Sequence, residues 1–184
     1  MSDSAVPPTP RIAPVANDGA SQEILGTLGA QSDSNFLRTL ARHPQMLKRW
    51  IPFAYGLLRG VLPDRDRELL VLRAAHRSDC LYEWSHHEHL AAKSGLDLHE
   101  IARVRNGPEA SEWSAFDAAL VRAADELVDS HTVSNSTWQI LAGRYDEQQL
   151  IEVPMVVGLY YSLGLTLNCL GVELESEYFR ENGQ

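Results

Sequence analysis

The densest run of chemically capable residues in this sequence is Cys80-Leu81-Tyr82-Glu83-Trp84-Ser85-His86-His87-Glu88-His89. Residues three and four apart share one face of a helix, so Cys80, Glu83 and His87 form a single stripe with Trp84 beside it. Arg67 and Glu68 lie about one helix earlier, and a helical hairpin would turn Glu68 toward that stripe. A cysteine at a helix start, or beside an imidazolium, loses its proton more readily, and the thiolate is the nucleophilic form. A carboxylate orients an imidazole, and the pair then passes protons to or from a substrate. The set therefore suits a reactive thiol served by a proton relay, with Cys80, His87, Glu68 and Glu83 as candidate catalytic groups. Tyr82 and Trp84 are candidate walls of a small-molecule pocket.

Each of these residues also has a plainer reading. A free cysteine is commonly an inert small hydrophobe. Glu83 and His87 could be an ordinary i, i+4 surface pair, and the histidines could decorate a solvated helix. Glu83-x-x-His86 matches half of a di-iron carboxylate motif, but no second Glu-x-x-His is present. No metal and no cofactor is expected.

The bulk properties narrow the field. The chain has 184 residues, 44% hydrophobic and 22% charged, which is ordinary globular composition. At this size roughly 70% of the unfolded surface can be buried, so neither disulfides nor a metal are needed for stability. Sixteen Lys and Arg face 25 Asp and Glu, a net charge of −9 that disfavours nucleic acid and anionic lipid. Two cysteines, Cys80 and Cys169, are too few for a secreted disulfide scaffold and point to a reducing, cytoplasmic setting.

The elements that must position the stripe are helices. Met1 begins a stretch with neither a basic nor an apolar leader region. Pro7, Pro8, Pro10 and Pro14 make residues 1–18 an extended, flexible arm ahead of one domain over 19–184. Ser21 is expected to cap a helix ending near Gly29, and Ser34 another that stops before Pro44. Pro44 opens a long segment through Leu58, and Asp64 or Asp66 caps the helix that carries Glu68. Cys80 to Ser94 follows, closed by Gly95. Asp97 precedes a short helix over Ile101–Val104, Ser114 to Ser130 shows one apolar face, Ser134 caps the next, and Asp146 starts the last. The uncharged run Val153–Val172 has the length of a membrane span but carries Pro154, Gly158 and Gly164 and lacks basic flanks; it reads as a buried helix. No strand pattern is found, so the domain is all-α.

The run Arg65-Asp66-Arg67-Glu68-Leu69-Leu70-Val71-Leu72-Arg73-Ala74, followed by Cys80-x-Tyr82-Glu83-Trp84-x-x-His87, resembles the carboxymuconolactone decarboxylase family, which includes the alkyl hydroperoxidase D proteins. Ala124-Asp125-Glu126-Leu127, Trp138, Leu150-Ile151-Glu152, Tyr160 and Leu167-Asn168 extend the likeness, so that it spans about Pro44 to Glu175. The resemblance implies an all-α fold with a central helical hairpin, assembled as a homo-oligomer, a trimer or hexamer. In the hydroperoxidase members the site reads Glu, eleven residues, Cys, two residues, Cys, three residues, His. Glu68, Cys80 and His87 match, whereas Glu83 stands where the second cysteine would be.

Three functions follow as expectations. One is a thiol-dependent, peroxidase-related antioxidant enzyme using Cys80, with Glu68 and His87 relaying the proton and an external thiol resolving the oxidised sulfur. The second is an acid–base lyase, a decarboxylase or isomerase of a small organic acid or lactone, with Arg67 or Arg73 holding a carboxylate. The third is a non-catalytic oligomeric binding protein that kept the fold.

Overall fold

The computed structural model describes residues 9–16, 18–26 and 34–175. Among them the chain forms nine α-helices and no strand: α1 Gly19–Gly26, α2 Asn35–Leu40, α3 Pro44–Leu58, α4 Asp64–Arg77, α5 Leu81–Lys93, α6 Leu98–Asn106, α7 Ala115–Ser130, α8 Asn135–Ala142 and α9 Glu147–Leu170. The all-α expectation holds. The chain divides into two compact units, Met1–Tyr55 with Thr166–Gln184, and Gly56–Leu165.

In the first unit, Leu25, Leu37, Leu40, Ala41, Leu47 and Ile51 form a buried cluster against which Phe36 and Trp50 pack. Ser34 caps α2 as expected, accepting from the Leu37 amide. The Ser21 cap is not seen: Asp18 accepts from the Ser21 amide, because the helix begins at Gly19. The expected end at Gly29 lies outside the described residues, as do Met1–Pro8 of the arm. The part of the arm that is described has no helix before Gly19 and is tethered. The Arg11 amide donates to the Leu170 carbonyl at 2.8 Å, and Arg38 and Arg42 donate to the carbonyls of Val15 and Ala13.

In the second unit α4 is the central element. Every residue from Asp66 to Ala75 is buried, and α5, α6 and α7 pack around it. Neither Asp64 nor Asp66 caps α4; Pro63 occupies that position. The Asp64 carboxylate instead holds Arg67 at 2.7 Å, while Asp66 turns inward and accepts from the Tyr145 hydroxyl at 2.7 Å. Ahead of the helix, the Glu152 carboxylate accepts from the Val61 and Leu62 amides. The other starts are as read from sequence: Asp97 forms a capping box with Glu100, and Ser114 and Ser134 each accept from an amide three residues on. The helix after Asp97 is longer than expected, Leu98–Asn106.

α9 is uncharged beyond Glu152 and, by length and composition alone, could cross a membrane. One side of it nevertheless belongs to the protein interior, with Val153, Val156, Val157, Leu159, Tyr160 and Leu163 all buried. Ile151, Met155 and Leu165 stay exposed.

Candidate active site

The turn between α4 and α5 decides where the thiol sits. The Asp79 amide donates to the His76 carbonyl and the Cys80 amide to the Ala75 carbonyl, at 3.1 and 2.9 Å. These two bonds, with Asp79 in the left-handed region at φ 51°, make a Schellman turn. Aspartate tolerates that conformation better than most residues. The residue that ends this turn also begins α5. Cys80 is therefore the N-cap of α5, not a residue within it, and its carbonyl accepts from the Trp84 amide at 3.1 Å.

The sulfur is close to the positive end of a helix, which favours a thiolate. Burial acts the other way and wins. Cys80 is 2% exposed, and desolvation pushes its thiol up to about 12, with the Glu83 carboxylate adding to the rise and the Glu83 and Tyr82 amides only partly offsetting it. At neutral pH the sulfur holds its proton and needs a base to remove it.

Such bases stand on the same hairpin. Glu68, from α4, places Oε2 2.7 Å from His87 Nδ1, a hydrogen bond in which the imidazole N–H donates. Glu83 Oε2 lies 3.7 Å from His87 Nε2, beyond hydrogen-bond length but within charge contact. All three side chains are almost wholly buried. Burial raises the Glu83 carboxyl above the usual range; His87 and His86 counter this in part, and Glu68 reinforces it. Arg67 also stands against Glu68, its Nη2 3.4 Å from Oε1, and it divides its charge with Asp64.

α9 closes this group with two residues. The Tyr160 ring meets His87 edge-on at 4.8 Å between centroids. Burial, then Glu83 and Glu68, hold the Tyr160 hydroxyl well above the ordinary phenol range. Gly164 allows a close approach to the turn: a Cβ there would lie 3.1 Å from Cys80 Cβ and collide with Ser78 Oγ. The structure thus brings together Glu68, Glu83 and His87, as the spacing implied. It adds Tyr160, which in sequence is one aromatic among the apolar residues of α9.

A cavity of about 110 Å³ opens beside Cys80, lined by Cys80, Trp84, His76, Asp79, Leu81 and Arg105 among others. Trp84 is a wall of this cavity, in keeping with its sequence reading. Tyr82 is not; it is buried and stacks on His86 at 4.5 Å between centroids. His76 comes to the cavity through the turn that ends α4, and Arg105 through the packing of α6, a contact with no signal in the sequence. The cations named from sequence are engaged elsewhere. Arg73 pairs with both oxygens of Asp125 at 2.7 and 2.9 Å and donates to the Val104 and Arg105 carbonyls, and Arg67 is taken by Asp64 and Glu68. Among the described residues no cluster of three or more His, Cys, Asp or Glu is arranged to hold a metal ion.

Comparison with known proteins agrees with this fold. The sequence profile of the carboxymuconolactone decarboxylase family matches residues 44–126. No curated protein matches the chain. Among solved structures, a peroxidase-related protein from Silicibacter sp. TM1040 is similar at TM-score 0.74 and 12% identity, over 96% of this chain and 95% of that one. An alkylhydroperoxidase AhpD core protein from Ralstonia eutropha JMP134, also described as peroxidase-related, gives TM-score 0.72 and 14% identity, over 97% and 96%. The debrominase Bmp8 gives TM-score 0.75 and 14% identity, over 92% and 94%. A cysteine-to-alanine form of that debrominase is known in complex with 2,3,4-tribromopyrrole.

Proposed function

Since the chain belongs to the carboxymuconolactone decarboxylase family, in its alkyl hydroperoxidase D-like superfamily, we propose that it is a thiol-dependent, peroxidase-related oxidoreductase acting through Cys80. The observation that carries this reading is the buried Glu68–His87–Glu83 relay on the same hairpin as a thiol too weakly acidic to ionise alone. Two carboxylates around one imidazole supply a proton acceptor and a proton donor within one desolvated group. The Cys80 thiol loses its proton to the relay and attacks the distal oxygen of a hydroperoxide. The O–O bond breaks, the relay returns a proton to the leaving alkoxide, and the products are Cys80 sulfenic acid and an alcohol. Glu83 occupies the place of a second cysteine, so an external thiol condenses with the sulfenic acid and releases water. A second equivalent of that thiol then frees Cys80 and leaves as the disulfide.

The debrominase fold supports a cysteine-centred reaction of wider scope, because its complex with a brominated pyrrole was obtained with a cysteine replaced. The lyase reading loses the two arginines it relied on, both held in internal ion pairs. The exposed, uncharged side of α9 through Ile151, Met155 and Leu165 supports self-association as a trimer or hexamer. A small-molecule substrate and a cytoplasmic setting complete the proposal.

Adding tert-butyl hydroperoxide in modest excess with dimedone present should produce the sulfenate adduct on Cys80 by peptide mass, and none on Cys169. An unmodified Cys80 would remove the redox reading. Under the lyase reading a Cys80→Ser variant would retain most of its activity, whereas here it retains none.

A further inference from the structure

Two residues that line the cavity beside Cys80, Trp84 and Arg105, carry hydrogen-bond donors with no acceptor among the described residues. The indole N–H of Trp84 is buried without a partner, although the residue is only 4% exposed. An indole N–H can only donate, so a buried one normally finds an oxygen. The second donor is Arg105. Its neighbours Arg65, Arg67, Arg73, Arg77 and Arg103, on α4 and α6, each hold a carboxylate. Among the described residues Arg105 has no ion pair; its guanidinium carbon sits over the Trp84 ring, 4.1 Å from the centroid. Stacking of this kind fixes the plane of the guanidinium and leaves its N–H groups free to donate in that plane.

We infer that this cavity is a carboxylate-binding subsite, in which Arg105, stacked on Trp84, holds the acid group of a small substrate while its reactive end meets Cys80. The ligand class follows from the wall: unmatched donors call for acceptor oxygens, and a guanidinium matches a carboxylate with two parallel bonds. The size follows from the volume, since about 110 Å³ holds only a few heavy atoms when one water occupies roughly 30 Å³. Asp79 also lines the cavity and opposes an anion, so Arg105 is the group on which selectivity turns. This inference rests on Cys80 being the reacting group and adds which molecules reach it.

The test compares alkylation of Cys80 by iodoacetate and by iodoacetamide, which have nearly the same size and differ in charge. Rates are read by peptide mass and divided by those of N-acetylcysteine, for the full-length protein and its Arg105→Gln and Asp79→Asn forms. Arg105 is exposed near the end of α6, so its replacement leaves the core intact. The protein should favour iodoacetate relative to the free thiol, Arg105→Gln should lower that preference about three- to tenfold, and Asp79→Asn should raise it. An iodoacetate preference indifferent to Arg105, or a Cys80 that neither reagent reaches, would overturn the subsite. Should tert-butyl hydroperoxide fail to oxidise Cys80 while the Arg105-dependent preference persists, the subsite stands and the peroxidase reading falls.

Discussion

Helix α4 carries two groups of charged side chains that are built on opposite terms. Along one set of positions every guanidinium meets carboxylates. Arg65 spans Asp117 and Glu100, Arg73 clasps Asp125, and Arg77 bridges Asp125 and Asp129. Each guanidinium there is paired, and the pairs tie α4 to α6 and α7. The other group, Glu68 with Glu83 and His87 from α5, has two carboxylates for one imidazole and only a shared claim on Arg67. Burial raises the Glu83 carboxyl and Glu68 adds to the rise, while His87 and His86 offset it only in part, so this group holds on to a proton. Cancelled charge holds a fold together. Uncancelled charge in the same interior is a store of exchangeable protons, which is what a protonated thiol nearby requires.

This contrast can be broken at either end. The largest effect should come from Arg73→Ala. It leaves Asp125 with Arg77 alone and removes the donor to the Val104 and Arg105 carbonyls, so chemical denaturation should show a loss of about 3–5 kcal/mol. A loss below about 1 kcal/mol would mean that the paired set is not structural. Gly164→Ala should cost less, about 1–3 kcal/mol, because a methyl must displace Ser78 and press on Cys80. Its melting temperature should fall together with the rate of Cys80 oxidation, since both depend on the same turn. The smallest effect concerns pH. With Glu83 raised from 4.5, the folded chain keeps a proton that the unfolded chain releases, so this contribution to stability is present at low pH and is lost as pH rises through that window. Urea midpoints from pH 4.5 upward should therefore slope less steeply in Glu83→Gln than in the parent protein. Unchanged slopes would place the raised proton elsewhere.

Much of this was legible in the sequence because the helix ends are written in local chemistry. Ser34, Asp97, Ser114 and Ser134 cap where their side chains can reach an amide three residues on. The same logic failed at α4, where Asp64 and Asp66 are drawn away by Arg67 and Tyr145, partners invisible to a cap rule. The relay was readable since Glu83 and His87 are one helical turn apart, and Glu68 is a hairpin's length upstream. The surroundings of the thiol were not. Arg105 beside the thiol and Tyr160 beside His87 arrive from positions 25 and 80 residues away from Cys80, through tertiary packing alone. The high thiol pKa has the same origin, for spacing shows a helix start but not how dry it is.

The step on which the proposed chemistry depends is deprotonation of a buried thiol by a buried relay. It is tested most directly by the rate of Cys80 oxidation by tert-butyl hydroperoxide at neutral pH, in the parent protein and in Glu68→Gln, followed by intact mass. Glu68→Gln keeps the size of the side chain and removes its basicity, so helicity by circular dichroism should be unchanged while the rate falls about 10²-fold or more. Equal rates in two equally folded proteins would contradict the claim.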